Sequence, residues 1–184
     1  KYAGYVPLIR DHGRSLSGVL VVRKDSGITN PEQLNGKKLA FPAPNALGAS
    51  LQMRQELEDK FGIKFESSFV KTHDSVYLNV LLGTTIAGGG VQKTFNSQKK
   101  QHKEMLSIIH KTQAVPSHPV AARTDVPIEI RVLVRNALIR IGQLDAGQEL
   151  LSKVPIKKIG VAGMEDYAPL DDMGLERFYI SSGK

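Results

Sequence analysis

The stretch FPAPNALGAS (residues 41–50) joins two different patterns, and the fold predicted for the chain depends on how this junction is interpreted. Before it stands the short apolar run KLAF. After it stands LQMRQELEDKFG, whose Leu51, Leu57 and Phe61 fall on one face of a helix. Prolines and small residues directly before a helix leave the N–H groups of its first turn unpaired, and such groups attract anions. An ordinary strand-to-helix turn explains the same residues. The stretch therefore predicts a strand, a turn and a helix, and an anion site only if other parts of the chain support one.

Strand and helix patterns alternate along the rest of the chain. Apolar, β-branched runs predict strands in SGVLVVRKD, FESSFVKT and MLSIIHKT. Helices are predicted over residues 46–61, over HDSVYLNVLLG with Asp74 or Ser75 as its cap, from Pro127 onward, and near residues 146–151. TTIAGGGVQKTFNSQ indicates a small strand, three glycines and a new helix start. This alternation favours an α/β fold with a parallel or mixed sheet.

Composition and charge exclude several classes of protein. The 184 residues contain no cysteine, so disulfides, thiolate catalysis and cysteine-bound zinc are excluded. No apolar run is long enough to span a bilayer, and no signal peptide is visible. The net charge of +7 fits an anionic partner. The densest basic segment, QKKQHKEMLSIIHK, lacks the arginines and interleaved aromatics of a nucleic-acid groove, so no nucleic-acid partner is expected.

The sequence lacks the common motifs of enzymes. The five histidines show no metal-ligand spacing, and neither a GxSxG elbow nor a GxxxxGK[ST] loop is present. AGGGV is too short for a dinucleotide fingerprint, and the paired acids at Glu165-Asp166 and Asp171-Asp172 are typical of solvated loops. We therefore expect a protein that is not an enzyme and that holds no metal and no cofactor.

Features suited to anion binding recur at three successive helix starts. The first is the FPAPNALGAS junction, and the second is THDS, where His73 is not needed as a cap. The third is GGGVQKT, whose glycines permit a nest of backbone N–H groups and whose lysine adds charge. Successive strand-to-helix junctions share one edge of an α/β sheet, where ligands bind. The predicted ligand-binding residues from these junctions are Asn45, Ala46, Leu47, Gly48, Ser50, His73 and Lys93.

These stretches, in this order, resemble the periplasmic substrate-binding proteins of phosphate, phosphite and phosphonate ABC transporters. The resemblance runs from about residue 5 to residue 170 and includes SGVLVVRKDSGI, LNGKKLAFPAPNALGAS, THDSVYLNVLLG, AGGGV, VPSHPVAARTDVP and EDYAPL. It implies a small anionic ligand, a membrane permease as partner, and a periplasmic or outer-face, lipid-anchored location. It also adds Ser117, in VPSHPVAARTDVP, to the predicted ligand-binding residues.

The family fold implies two α/β lobes that close on a ligand in the cleft between them. By this resemblance, residues 24–120 form a complete second lobe. Residues 1–23 supply a crossing strand and part of the first lobe, and residues 121–184 supply its return strand and C-terminal helices. Family members carry a further N-terminal segment, so the sequence resembles a chain that lacks the opening strands of its first lobe.

The chain departs from the family pattern at two places. Typical phosphonate binders have a run of hydroxyl residues where this sequence has Ala46, Leu47 and Gly48, which leaves backbone N–H groups as the expected donors. Many relatives have an aspartate at the position of Ile86, and its absence argues against an aminophosphonate ligand. His73 does match the family's ligand-facing histidine.

Two other functions fit the same fold. One is the ligand-sensing input domain of a membrane signalling protein, which requires a flanking transmembrane helix. The other is the effector domain of a LysR-type regulator, which requires a DNA-binding helix-turn-helix upstream.

Overall fold

The computed structural model describes residues 4–154 and 156–181, in which strands and helices alternate. The strands are β1 Tyr5–Asp11, β2 Ser15–Leu16, β3 Gly18–Arg23, β4 Lys38–Phe41, β5 Glu66–Phe69, β6 Ala87–Val91, β7 Leu106–Lys111, β8 Val115–Pro116, β9 Val120–Arg123 and β10 Ile159–Val161. The α-helices are α1 Met53–Asp59, α2 His73–Leu81, α3 Gln92–Ser97, α4 Lys100–Met105, α5 Ile128–Ile141 and α6 Asp145–Ser152. Leu47–Gln52 is a π-helical segment that continues directly into α1, and short 3₁₀ turns lie at Lys24–Ser26, Pro31–Leu34, Met164–Asp166, Ala168–Met173 and Leu175–Phe178.

The chain divides into two compact units. Unit 1 comprises Lys1–Leu16 and Ala114–Asp172, and unit 2 comprises Ser17–Gln113 and Met173–Lys184. The sequence predicted divisions near residues 24 and 120 and assigned all of residues 121–184 to the first lobe. The structure differs for residues 173–181, here called the C-terminal segment, which pack on unit 2. There Arg177 pairs with Asp59.

Unit 2 contains a five-stranded mixed sheet in the order β5-β4-β6-β3-β7. β4 pairs in parallel with both β5 and β6, whereas β3 runs antiparallel to β6 and β7. The carboxyl ends of β4, β5 and β6 therefore meet at one edge of the sheet, as the three predicted strand-to-helix junctions require.

Both faces of this sheet are buried, which explains the continuous apolar run in β3. Leu20 and Val22 belong to the core cluster on one face, and Val19 and Val21 belong to the cluster on the other, because side chains alternate along a strand. α1 covers the first face through Met53 and Leu57, while α2 covers the second through residues that include Val76, Tyr77 and Val80.

The three glycines lie inside β6 instead of forming a turn before a helix. Gly88, Gly89 and Gly90 pair with β3 in an unbroken antiparallel register, so the predicted nest of N–H groups is wrong. Side chains are excluded here by close neighbours. A Cβ on Gly89 would lie 2.3 Å from the carbonyl oxygen of Ala49, and one on Gly90 would lie 2.2 Å from the hydroxyl oxygen of Tyr77.

The predicted helix over residues 46–61 forms, but its first six residues, Leu47–Gln52, are π-helical and its α-helical part ends at Asp59. Gly62 follows with a φ of +63°, the left-handed conformation that suits glycine after a helix. The cap of α2 is Thr72, whose Oγ1 accepts a hydrogen bond from the Ser75 N–H at 3.0 Å, so neither Asp74 nor Ser75 is the cap.

Unit 1 contains an antiparallel sheet in the order β10-β1-β9 and the separate short pair β2-β8. α5 packs against β1 and β10 and begins one residue after Pro127, which is its N-cap and not its first residue. Ile128 and Leu133 of this helix are exposed. None of the helices within the described residues is long and apolar enough to cross a membrane.

The close packing around β6 predicts the effect of adding one methyl group. Gly89→Ala should lower the free energy of unfolding by about 2 kcal/mol, because the new Cβ meets backbone and ring atoms that cannot move aside. Gly62→Ala is the control: its site is open, so only the positive φ disfavours alanine, at about 1 kcal/mol. Urea unfolding of both variants measures the difference, and equal losses would contradict this description of β6.

Candidate functional site

Three connections leave the carboxyl edge of the unit 2 sheet side by side. The first follows β4 and is called here the 42–50 turn, the second leads from β5 to α2, and the third leads from β6 into α3. Because β4 lies between β5 and β6 and runs parallel to both, the structure brings the 42–50 turn, His73 and the start of α3 to the same edge. Ligands of open α/β sheets bind at such edges.

The helix that follows β4 begins without a side-chain cap. Ala46 stands at the N-cap position in an extended conformation, and the N–H groups of Ser50 and Leu51 both donate to its carbonyl oxygen, at 2.9 and 3.0 Å. Among the residues that the structure describes, no acceptor is found for the N–H groups of Leu47, Gly48 and Ala49. These groups carry the partial positive charge of a helix N-terminus.

Asn45 and Ser50, both predicted to contact a ligand, have protein partners for their side chains. The Asn45 amide donates to the carbonyl oxygen of Ile180 at 2.8 Å and accepts from the Ile180 N–H at 3.0 Å. The Ser50 hydroxyl is fully buried and donates to the carbonyl oxygen of Pro44 at 3.0 Å. An anion at this helix start therefore meets backbone N–H groups first, while these two side chains hold the turn together.

His73 is the first residue of α2 and is half-buried. Its Nδ1 is a buried atom for which the described residues provide no hydrogen-bond partner. Burial lowers the pKa of His73 below its usual value, and the neighbouring Asp74 acts in the opposite direction. Nδ1 is therefore a hydrogen-bonding group near the carboxyl edge that the described residues leave unused.

Lys93 and Ser117 have different surroundings. Lys93 lies exposed in the first turn of α3, directly after β6, so its ammonium group adds positive charge at the carboxyl edge. Ser117 belongs to unit 1, where its hydroxyl donates to the Asp11 carbonyl oxygen at 2.8 Å and its own carbonyl oxygen accepts from the Tyr167 hydroxyl at 2.7 Å.

Ile86 lies away from this edge. Its N–H donates to the carbonyl oxygen of Lys38 at the amino end of β4, and the length of β6, roughly 16 Å, separates it from the carboxyl end. Its side chain packs against the core. The absence of an acid at this position therefore carries no information about a ligand at the carboxyl edge, which corrects the argument made from the sequence.

Sequence reasoning missed Arg54, which lies against the inner side of the 42–50 turn. The residue is 6% exposed, and its guanidinium donates to the carbonyl oxygens of Pro44 and Ser50, at 2.6 and 3.3 Å. The signal in the sequence was an arginine three residues after Leu51 and three before Leu57, on the apolar face of the helix. Within the described residues, no three His, Asp or Glu side chains lie close enough to hold a metal ion.

A family model and several solved structures match this chain. A family model described as "ABC transporter, phosphonate, periplasmic substrate-binding protein" matches residues 1–167. Among solved structures, XAC2383 from Xanthomonas citri bound to chloride is similar at a TM-score of 0.82 and 17% identity, with 95% of this chain and 71% of that chain covered. PhnD1 from Prochlorococcus marinus, in complex with methylphosphonate, is similar at a TM-score of 0.78 and 14% identity, with 97% of this chain and 73% of that chain covered. A binding protein component of an ABC phosphonate transporter from Pseudomonas aeruginosa is similar at a TM-score of 0.77 and 15% identity, with 96% of this chain and 64% of that chain covered. These structures confirm the predicted periplasmic-binding-protein fold.

The burial of His73 predicts how acid affects the protein. Because the pKa is lower in the folded state, the unfolded chain binds the proton first, and His73 makes folding less favourable as the pH falls below the ordinary histidine value of about 6.5. His73→Gln should therefore lose less unfolding free energy between about pH 7 and about pH 5 than the unmodified chain does. Denaturant titrations at both pH values measure this, and parallel losses in the two proteins would contradict it.

Proposed function

The chain belongs to the family of periplasmic substrate-binding proteins of phosphonate ABC transporters, and from this premise we propose that it binds a small oxyanion of the phosphonate, phosphate or phosphite kind. The family is one of transport binding proteins and not of enzymes, and it implies a periplasmic location and a permease as partner. In this proposal the loaded protein delivers its anion to that permease. Attachment to the outer face of the cytoplasmic membrane by a lipid is compatible with the same role.

One observation carries the proposal: the helix after β4 starts uncapped at the edge where His73 and Lys93 also lie. A tetrahedral oxyanion has several acceptor oxygens and a negative charge, so it suits unpaired N–H groups at a helix N-terminus. The hydrogen bonds are charge-assisted, which makes them stronger than those between neutral groups. The positive net charge of the chain favours the approach of an anion.

The roles of the predicted residues follow from their surroundings. Leu47, Gly48 and Ala49 offer backbone N–H groups, and His73 offers a ring nitrogen. Lys93 supplies positive charge. In this proposal Asn45 and Ser50 support the turn, and the backbone N–H groups take the place of the hydroxyl run of typical phosphonate binders. A ligand position in a cleft between two lobes, with Ser117 as a further contact, stays a prediction from the family resemblance.

Two alternatives from the sequence are less well supported. A sensor domain and a regulator's effector domain share the fold, but the family match over residues 1–167 favours a transport binding protein. The anion site itself would be common to all three functions, so a binding experiment tests the site and the flanking sequence distinguishes the functions.

Placing a carboxylate at the uncapped helix start tests the site directly. Ala46→Asp puts an acceptor at the N-cap position, where it binds the free N–H groups itself and repels an anion. We expect the affinity for methylphosphonate, phosphate or phosphite to fall at least about tenfold while the folded state becomes more stable by about 1 kcal/mol. Isothermal titration calorimetry and thermal unfolding measure the two effects, with sulfate as the comparison oxyanion.

Ala46→Asn is the matched control, because its side chain caps the same groups without a negative charge. It should weaken binding less than Ala46→Asp. The proposal is wrong if none of these anions binds the unmodified protein, or if Ala46→Asp folds normally and binds as the unmodified protein does.

A further inference from the structure

Arg54 connects three parts of unit 2 that are distant in sequence. Its guanidinium donates to the Pro44 carbonyl oxygen in the 42–50 turn and to the Phe178 carbonyl oxygen in the C-terminal segment, at 2.6 and 2.8 Å. It also lies between two aromatic rings, 5.5 Å from the centre of the Phe69 ring at the end of β5 and 5.4 Å from the Phe178 ring. The residue thus joins the turn, the neighbouring strand end and the C-terminal segment.

The charge of Arg54 is balanced in an unusual way. Within the described residues no carboxylate forms an ion pair with it, and its hydrogen bonds go to backbone carbonyl oxygens. Burial lowers the pKa of Arg54, and Glu58, one turn later in α1, acts in the opposite direction. Buried charges without a paired charge are disfavoured in protein interiors. Carbonyl dipoles and two ring faces supply the compensation here.

The contact with Pro44 fixes the direction of the next peptide group. In a planar trans peptide the C=O and N–H bonds point in opposite directions, so holding the Pro44 carbonyl toward Arg54 turns the Asn45 N–H away from it. The Ser50 hydroxyl donates to the same carbonyl oxygen, and Asn45 binds the backbone of Ile180. Three hydrogen bonds therefore fix the part of the turn that precedes the free N–H groups of residues 47–49.

We propose that Arg54 is a positioning residue for anion binding: by holding the Pro44 and Ser50 carbonyls and the C-terminal segment together, it keeps the N–H groups of residues 47–49 in the orientation that receives the ligand. This inference rests on the proposed function and adds a residue and a chain segment that the ligand does not touch. Ligand affinity then depends on the packing of the C-terminal segment on the 42–50 turn.

Substitution of Arg54 by methionine and by lysine tests this, with Arg177→Met as the matched control. Arg177 also stacks on the Phe178 ring, at 4.7 Å, and pairs with Asp59, and within the described residues it forms no ion pair with the turn. The measurements are calorimetric titration with methylphosphonate and with inorganic phosphate, and amide hydrogen exchange of the full chain without ligand. Hydrogen exchange tests whether Arg54 holds the turn separately from whether the protein binds an anion, because it reports on the turn with or without ligand.

We expect Arg54→Met to weaken anion binding at least about tenfold and to accelerate exchange in residues 45–50 more than in β3. Arg54→Lys keeps the charge but lacks the planar fork that reaches both carbonyls, so it should restore only part of the affinity. Arg177→Met removes one contact of the C-terminal segment but leaves Arg54 in place, so it should weaken binding less than Arg54→Met does. If Arg54→Met does not fold, the lysine variant gives the same comparison.

Three results would overturn the inference. Unchanged exchange in residues 45–50 of the Arg54 variants would mean that Arg54 does not hold the turn. Full affinity in Arg54→Lys would mean that charge alone matters. Equal weakening by Arg177→Met would reduce the effect to general stability. Absence of binding by the unmodified protein would instead remove the proposed function, and this inference with it.

Discussion

The parallel pairing of β4 with both β5 and β6 is the constraint on which the candidate site depends. Parallel strands place their carboxyl ends at one edge, so three separate connections of the chain meet there. If β4 ran antiparallel to either neighbour, the 42–50 turn and His73 or Lys93 would lie at opposite edges. The antiparallel β3, on the far side of β6, begins at the same edge: its first residue, Gly18, pairs with Val91 and lies close to the Gly48 carbonyl oxygen.

The candidate site combines an uncapped helix start with a turn whose polar groups are hydrogen-bonded to other parts of unit 2. A serine or aspartate cap at position 46 would stabilise the helix by about 1 kcal/mol, and alanine forgoes that stabilisation. Behind the turn, in contrast, polar groups are well satisfied: Arg54 and Ser50 hold the Pro44 carbonyl, and Asn45 holds Ile180. Free donors on a rigid support are what an anion site needs, since donors that must reorganise bind less tightly.

Much of the fold was predictable because its patterns are local. The apolar run of β3 and the glycine after α1 each act within a few residues, whereas the cap of α2 was predicted at Asp74 or Ser75 and is Thr72. The glycines of β6 were misread because their reason lies elsewhere in the chain: Ala49 and Tyr77 occupy the space that side chains would need. A glycine run looks the same in sequence whether it forms a nest or fits a crowded strand.

The parts of the site that could not be predicted depend on contacts between distant residues. Asparagine is a residue type that often contacts ligands, but the partner of Asn45 is Ile180, which no local pattern reveals. Arg54 was hidden by its place on an apolar helix face, where a long side chain is usually assumed to reach solvent. The measurement that tests the account most directly is a titration of ¹⁵N-labelled protein with methylphosphonate, followed by NMR. The account predicts that the largest changes occur at the amides of Leu47, Gly48 and Ala49 and at the His73 ring. Changes confined to unit 1, with these signals unmoved, would contradict it.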